Sequence, residues 1–181
     1  MKHINLNPMN PPLNWQDKLP DELPKGWNER AAALCQAQSL TAALRALGGS
    51  FTVTVLYMGE LDGLGNSSGE NHAETAAPQF VRDVLLHLDG VPVVQARSAC
   101  SPQSQAWRGV LDCGTQPLGE RLFDGTLPLK RSAFEFCLME NAGGQDDFRR
   151  LVAARRSYFD WDGEVLELTE YFLPGLARIM R

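Results

Sequence analysis

FVRDVLLHLDGVPVVQARSA, residues 80–99, is two apolar, Val-rich runs joined by Asp89-Gly90. Asp-Gly between such runs marks a two-residue hairpin, because both central positions of the favoured turn need positive φ. The sequence therefore predicts antiparallel strands at 80–88 and 91–99. The same signal recurs at Asp162-Gly163, between runs at 151–160 and 165–173. FTVTVLYM at 51–58 and the run at 132–139 bring the expected strands to six.

Between the strands lie helical patterns. One is expected from about Asn28 to Ala37. A second follows the N-cap Ser39, with Leu40, Ala43, Leu44 and Leu47 at helical spacing and Gly48 as its stop. Ser101-Pro102 reads as a cap followed by Pro at the first helical position, opening a helix to about Asp112 that Gly114 ends. PLGERLF at 117–123 reads as a turn and short helix. The helices do not alternate with strands as crossovers would, so the expected fold class is α+β: a six-stranded antiparallel sheet with helices packed against it. Residues 1–27 contain Pro8, Pro11, Pro12, Pro20 and Pro24 and are expected as a Pro-rich extension that wraps the surface or stays mobile. Residues 28–181 form the domain proper. The stretch 59–77 is expected as a long polar loop.

Strand alternation places charges on apolar faces. Arg82 shares a face with Phe80, Val84, Leu86 and Leu88, and Glu170 with Leu166, Leu168 and Phe172. An ionised group on an apolar face is costly unless paired or liganded. A regular two-residue hairpin at Asp89-Gly90 would set Arg82 opposite Arg97, two cations that call for an anion between them. A regular hairpin at Asp162-Gly163 would set Glu170 opposite Arg155, a compensated pair. The expected inward face carries Arg82, Arg97, Glu170 and Arg155. Two readings fit such a face: a pocket for a carboxylate-bearing small molecule, or a buried ion-pair network without ligand.

Composition narrows the partners. A net charge of −5 offers no general attraction to phosphate backbones, so no nucleic-acid partner is expected. The four cysteines (Cys35, Cys100, Cys113, Cys137) include no CxxC pair, and His3, His72 and His87 have no ligand spacing, so neither a zinc site nor a thioredoxin-like motif is expected. The polar, Pro-rich start is no signal peptide, and no run approaches the ~20 apolar residues of a membrane span. A cytoplasmic protein with no membrane partner is expected. Gly63-Leu64-Gly65 with Gly69 has neither the spacing nor the βαβ setting of a dinucleotide site.

Several segments together resemble the chorismate–pyruvate lyase family. Arg82-Asp83-Val84-Leu85-Leu86 with Asp89-Gly90 and Ala96-Arg97-Ser98 resembles its central hairpin. Pro117-Leu118-Gly119 with Leu122-Phe123 resembles its P-L-G-x-x-L-F segment. Ala154-Arg155-Arg156-Ser157 and Leu168-Thr169-Glu170-Tyr171-Phe172-Leu173-Pro174 resemble its closing hairpin. The match runs from about residue 28 to residue 174. The resemblance implies a chorismate lyase-like six-stranded sheet, no cofactor and no metal. It implies elimination of pyruvate from chorismate to give 4-hydroxybenzoate, the first committed step toward ubiquinone, by a monomeric enzyme. It also implies site residues. The arginine that holds the ring carboxylate falls on Arg82, and a backbone contact to the same carboxylate falls on Leu118. The carboxylate near the ring hydroxyl falls on Glu170. A second backbone contact falls on Leu40, where the family has methionine. Arg82 and Glu170 are the expected catalytic residues. Strand pairing adds Arg97 as a partner for the enolpyruvyl carboxylate and Arg155 as a neighbour of Glu170. The competing function is a non-catalytic domain of the same fold that senses a small aromatic acid. Such regulators carry a helix-turn-helix module, for which residues 1–27 are too short and too rich in Pro.

Overall fold

The computed structural model describes residues 14–62, 77–141 and 150–180. Most of the expected 59–77 loop, the Gly63–Gly69 pattern, His3 and His72 lie outside them. The elements in chain order are α1 (Glu29–Cys35), α2 (Leu40–Ala46), β1 (Phe51–Leu61), β2 (Gln79–Leu88), β3 (Val91–Cys100), α3 (Gln105–Leu111) and α4 (Leu118–Phe123). They are followed by β4 (Lys130–Arg131), β5 (Glu135–Asn141), β6 (Arg150–Trp161), β7 (Glu164–Phe172) and α5 (Pro174–Ile179). The fold is α+β, with one antiparallel sheet ordered β1-β2-β3-β7-β6-β4 and β5 also paired to β6.

The seven strands occupy six positions across the sheet. β4 and β5 follow one another along the same edge of β6, at Lys130↔Asp160 and then Glu135↔Arg156. Between them the Ser132 amide donates to the Tyr158 carbonyl (2.9 Å), and the Ser132 hydroxyl accepts from the Tyr158 amide (3.0 Å). A side-chain oxygen thus takes the place of a ladder carbonyl, and the single strand expected at 132–139 is broken there.

Both hairpin turns form as expected. Asp89 and Gly90 have φ of 51° and 76°, and Asp162 and Gly163 have 52° and 89°. The registers beyond them differ. β6 and β7 pair without interruption from Trp161↔Glu164 to Arg155↔Glu170 and on to Ala153↔Phe172. β2 and β3 slip by one residue: His87 faces Pro92, but Leu86 faces Val94, leaving Val93 as the extra residue of a bulge. Pro92 has no N–H to give to the ladder, and proline inside a sheet is tolerated at such irregularities.

Helix starts follow their caps. Asn28 accepts from the Ala31 amide and Ser39 from the Ala42 amide. The third helix begins later than expected. Ser104, not Ser101, caps it by accepting from the Trp107 amide, and residues 101–103 form a turn. α5 was not expected; it opens with Pro174 at its first position. The segment before α1 joins the sheet, where Gln16 and Phe136 exchange backbone hydrogen bonds of 2.8 and 2.7 Å. Among the described residues no helix is long and apolar enough to cross a membrane. All four cysteines are free and buried, and burial pushes the Cys35 thiol up to about 12 against the pull of the Arg155 cation.

The core is in two parts. One apolar cluster packs α1, α2 and α5 against one end of the sheet, through Leu34, Leu44, Leu86, Phe172 and Leu176. The other packs α3 and α4 against the opposite end, through Phe80, Trp107, Leu122, Phe159 and Leu166. Leu168 touches both.

Candidate active site

Register places polar groups in the gap between the two clusters. Across the sheet, Phe80, Cys100, Leu166 and Phe159 form one row, and Leu86, Val94, Phe172 and Ala153 another. Between them run Arg82-Ser98-Leu168-Ser157 and Val84-Ala96-Glu170-Arg155. Successive rows lie two residues apart along each strand, so all four share one face. These middle rows floor a cavity that α2 and α4 roof with Leu40, Thr41, Pro117, Leu118 and Gly119. It is small, about 40 Å³.

Arg82 is 1% exposed. Its Nη2 donates to the carbonyls of Gly114 (2.7 Å) and Gln116 (3.2 Å), and its buried Nε has no partner among the described residues. No carboxylate among them pairs with it, and burial lowers its pKa below the ordinary arginine value. A buried cation without a counter-charge is a costly arrangement.

Two strands across and two residues along, roughly 12 Å away at Cα by sheet geometry, Glu170 meets Arg155 as the register predicts. Arg155 Nε donates to Glu170 Oε2 at 2.5 Å, with side-chain exposures of 2% and 9%. Arg155 Nη1 also donates to the carbonyls of Cys35 (2.9 Å) and Ala37 (2.6 Å) at the end of α1, and its guanidinium lies 4.2 Å from the Phe134 ring centre. Arg155 thus has its charge matched and two backbone carbonyls bound, and it holds the Glu170 carboxylate at the cavity that both residues line.

Leu118 and Leu40 are the first residues of α4 and α2, so neither amide has an acceptor within its own helix. Both line the cavity. The P-L-G glycine has a local reason. A Cβ on Gly119 would come within 2.7 Å of Thr41 Oγ1, so glycine lets α4 lie this close to α2 without displacing the Thr41 hydroxyl.

Arg97 is a correction. Because of the bulge at Pro92, it faces Asp83 and not Arg82, and so lies on the other face of the sheet. There its Nε and Nη2 grip both oxygens of Asp83, at 2.8 and 2.7 Å. It does not line the cavity. The presence of Pro92 inside the run is the sequence signal for this slip. Of the six expected residues, Arg82, Leu40, Leu118, Glu170 and Arg155 come together. The sequence reading missed Arg131, whose side chain joins the lining with Gln38, Phe123 and Phe134. It also missed Ser98 and Ser157, both 2% exposed on the floor.

A pocket between a helical roof and an antiparallel sheet, with a buried uncompensated guanidinium at one end and a clamped carboxylate at the other, is built for a small carboxylate-bearing molecule. The family model for chorismate lyase matches residues 15–180. A probable chorismate pyruvate-lyase of Ralstonia nicotianae is 34% identical over 179 residues, covering 90% of this chain and 90% of that protein. Another, from Shewanella amazonensis, is 35% identical, covering 88% of this chain and 83% of that one. The chain belongs to the chorismate lyase family, and the protein is a lyase. Among solved structures, PhnF from Mycobacterium smegmatis is 18% identical with a TM-score of 0.47, covering 76% of this chain and 64% of that one. The C-terminal domain of the histidine utilization repressor from Pseudomonas syringae is 14% identical with a TM-score of 0.44, covering 69% of this chain and 92% of that one. At that level of likeness neither bears on function.

Proposed function

We propose that the protein eliminates pyruvate from chorismate to release 4-hydroxybenzoate, the step that commits this ring to ubiquinone, in the cytoplasm and as a monomer. The observation that carries the reading is Arg82: a buried guanidinium with no carboxylate partner among the described residues, facing a cavity whose far side holds Glu170.

In this reaction the ether bond between ring carbon and enolpyruvyl oxygen breaks. The hydrogen on the neighbouring, hydroxyl-bearing ring carbon leaves as a proton, and the enolpyruvyl methylene takes up a proton to become the methyl group of pyruvate. The ring becomes aromatic, so the driving force lies in the substrate, and the protein's task is to hold the reacting conformer and favour charge movement toward the ether oxygen. Arg82 binds the ring carboxylate with the Leu118 amide. Glu170, oriented by Arg155, hydrogen-bonds the ring hydroxyl or relays the proton. The Leu40 amide supplies a further contact. An acid–base relay and a concerted transfer both balance with these groups in place.

The test is incubation of the purified protein with chorismate, following 4-hydroxybenzoate by absorbance and pyruvate by a coupled dehydrogenase. Equimolar products from the wild type, lost in Arg82→Ala and Glu170→Ala, are expected. Tight binding of 4-hydroxybenzoate with no turnover would instead make the protein a sensor of that acid.

A further inference from the structure

The ionisable side chains that line the cavity are Arg82, Arg131, Arg155 and Glu170, an excess of two positive charges. The Arg155 charge is matched by Glu170 at 2.5 Å, leaving Arg82 and Arg131. Arg131 extends from β4 beside Phe159 and meets only neutral acceptors among the described residues. Its Nη1 donates to the Gln38 carbonyl at 2.7 Å, and its Nη2 donates to Gln38 Oε1. The guanidinium is held flanked by aromatic rings, 4.4 Å from the Phe134 centre and 5.3 Å from that of Phe123. A guanidinium has five N–H donors, so Gln38 leaves capacity for a further acceptor. Gln38 and Phe123 are exposed while Arg82 and Arg155 are buried, so Arg131 stands at the mouth and Arg82 at the floor.

Two unmatched cations at different depths suit a ligand with two separate carboxylates. Resting on the proposed reaction, we infer that Arg131 binds the second carboxylate of the substrate, the one carried by the enolpyruvyl arm, and so sets the preference for the dianionic substrate over the monoanionic aromatic product. This is the part the sequence pattern assigned to Arg97, which the register turns to the other face. Arg82 holds a carboxylate present in both substrate and aromatic product; Arg131 holds one that leaves with pyruvate. Losing the anchor at Arg131 on cleavage makes departure of the pyruvate half separable from release of the ring.

The experiment compares chorismate kinetics with equilibrium binding of 4-hydroxybenzoate, in the wild type, Arg131→Gln and Arg131→Lys. Arg131→Gln is expected to raise KM for chorismate about tenfold with kcat within twofold, and to leave the Kd of 4-hydroxybenzoate within twofold. Arg131→Lys, which keeps the charge, is expected to recover most of the loss in KM. If KM and the 4-hydroxybenzoate Kd rise by the same factor, Arg131 acts only by holding Gln38 over the cavity, and the assignment is wrong. It is equally wrong if neither changes. Absence of turnover by the wild type would overturn the lyase reading and this assignment together, whereas active wild type with unchanged Arg131→Gln kinetics would overturn this assignment alone.

Discussion

Both faces of the central sheet carry ion pairs, Arg155–Glu170 on the cavity face and Arg97–Asp83 with Arg156–Glu135 on the other, but among the described residues the cavity face adds a buried arginine with no carboxylate partner. On one face, Arg97 and Asp83 meet through two hydrogen bonds, and Arg156 meets Glu135 at 2.7 Å, so each cation has its carboxylate. On the other face, one residue along from Asp83, Arg82 is more deeply buried than Arg97 and has only two carbonyls. On the proposed reading, the contrast separates charge that holds the protein together from charge that binds a ligand. An arginine paired away from the cavity, as Arg97 is, contributes stability and is expected to be indifferent to substrate. An unpaired, buried one costs stability and is justified by what binds to it.

The sharpest way to break this contrast is Arg82→Met. It removes the unmatched cation and keeps an apolar stem, so kcat/KM is expected to fall about a thousandfold, ~4 kcal/mol of lost charge-assisted binding. Denaturant unfolding of the same variant is expected to give a stability within ~1 kcal/mol of wild type, or higher. A large loss of stability would make Arg82 structural. Glu170→Gln comes next. It should lower kcat about a hundredfold, the scale of a lost proton-transfer or hydroxyl-orienting group. Because it leaves Arg155 buried without its counter-charge, it should also cost ~3 kcal/mol in unfolding free energy. Arg97→Met is the mirror image of Arg82→Met. It strands Asp83, and since Arg97 itself is 38% exposed the expected cost is only ~1–2 kcal/mol, with kcat/KM within threefold of wild type. Substrate kinetics and urea melts on the two methionine variants side by side would show whether the effects cross over as expected. The smallest effect concerns the roof. Gly119→Ala pushes α4 from Thr41 and should raise KM a few-fold, while adding Thr41→Ala, which removes the 2.7 Å contact, should restore it.

Much of this was legible in the sequence, and the failures have physical causes. Asp89-Gly90 and Asp162-Gly163 announced both hairpins because few dipeptides adopt two consecutive positive φ values. Counting back from the second gave the Arg155–Glu170 pair correctly, since nothing interrupts that ladder. The same counting from the first failed by one residue, because the ladder bulges beside Pro92 and a one-residue slip sends a side chain to the other face. Arg131 was invisible to periodicity. It sits before the break at Ser132, where alternation cannot be carried from one strand segment to the next. Leu40 and Leu118 came from the family resemblance alone, since a site that uses a backbone amide leaves no trace in side-chain chemistry.

On the proposed reading, the Arg82 guanidinium at the cavity floor is the ring-carboxylate site. The most direct measurement is a crystal structure of the protein with 4-hydroxybenzoate. The account predicts the carboxylate within about 3 Å of the Arg82 guanidinium and the Leu118 amide, with the hydroxyl directed at Glu170. A ring bound with its carboxylate away from Arg82, or outside the cavity between α2, α4 and the sheet, would contradict it.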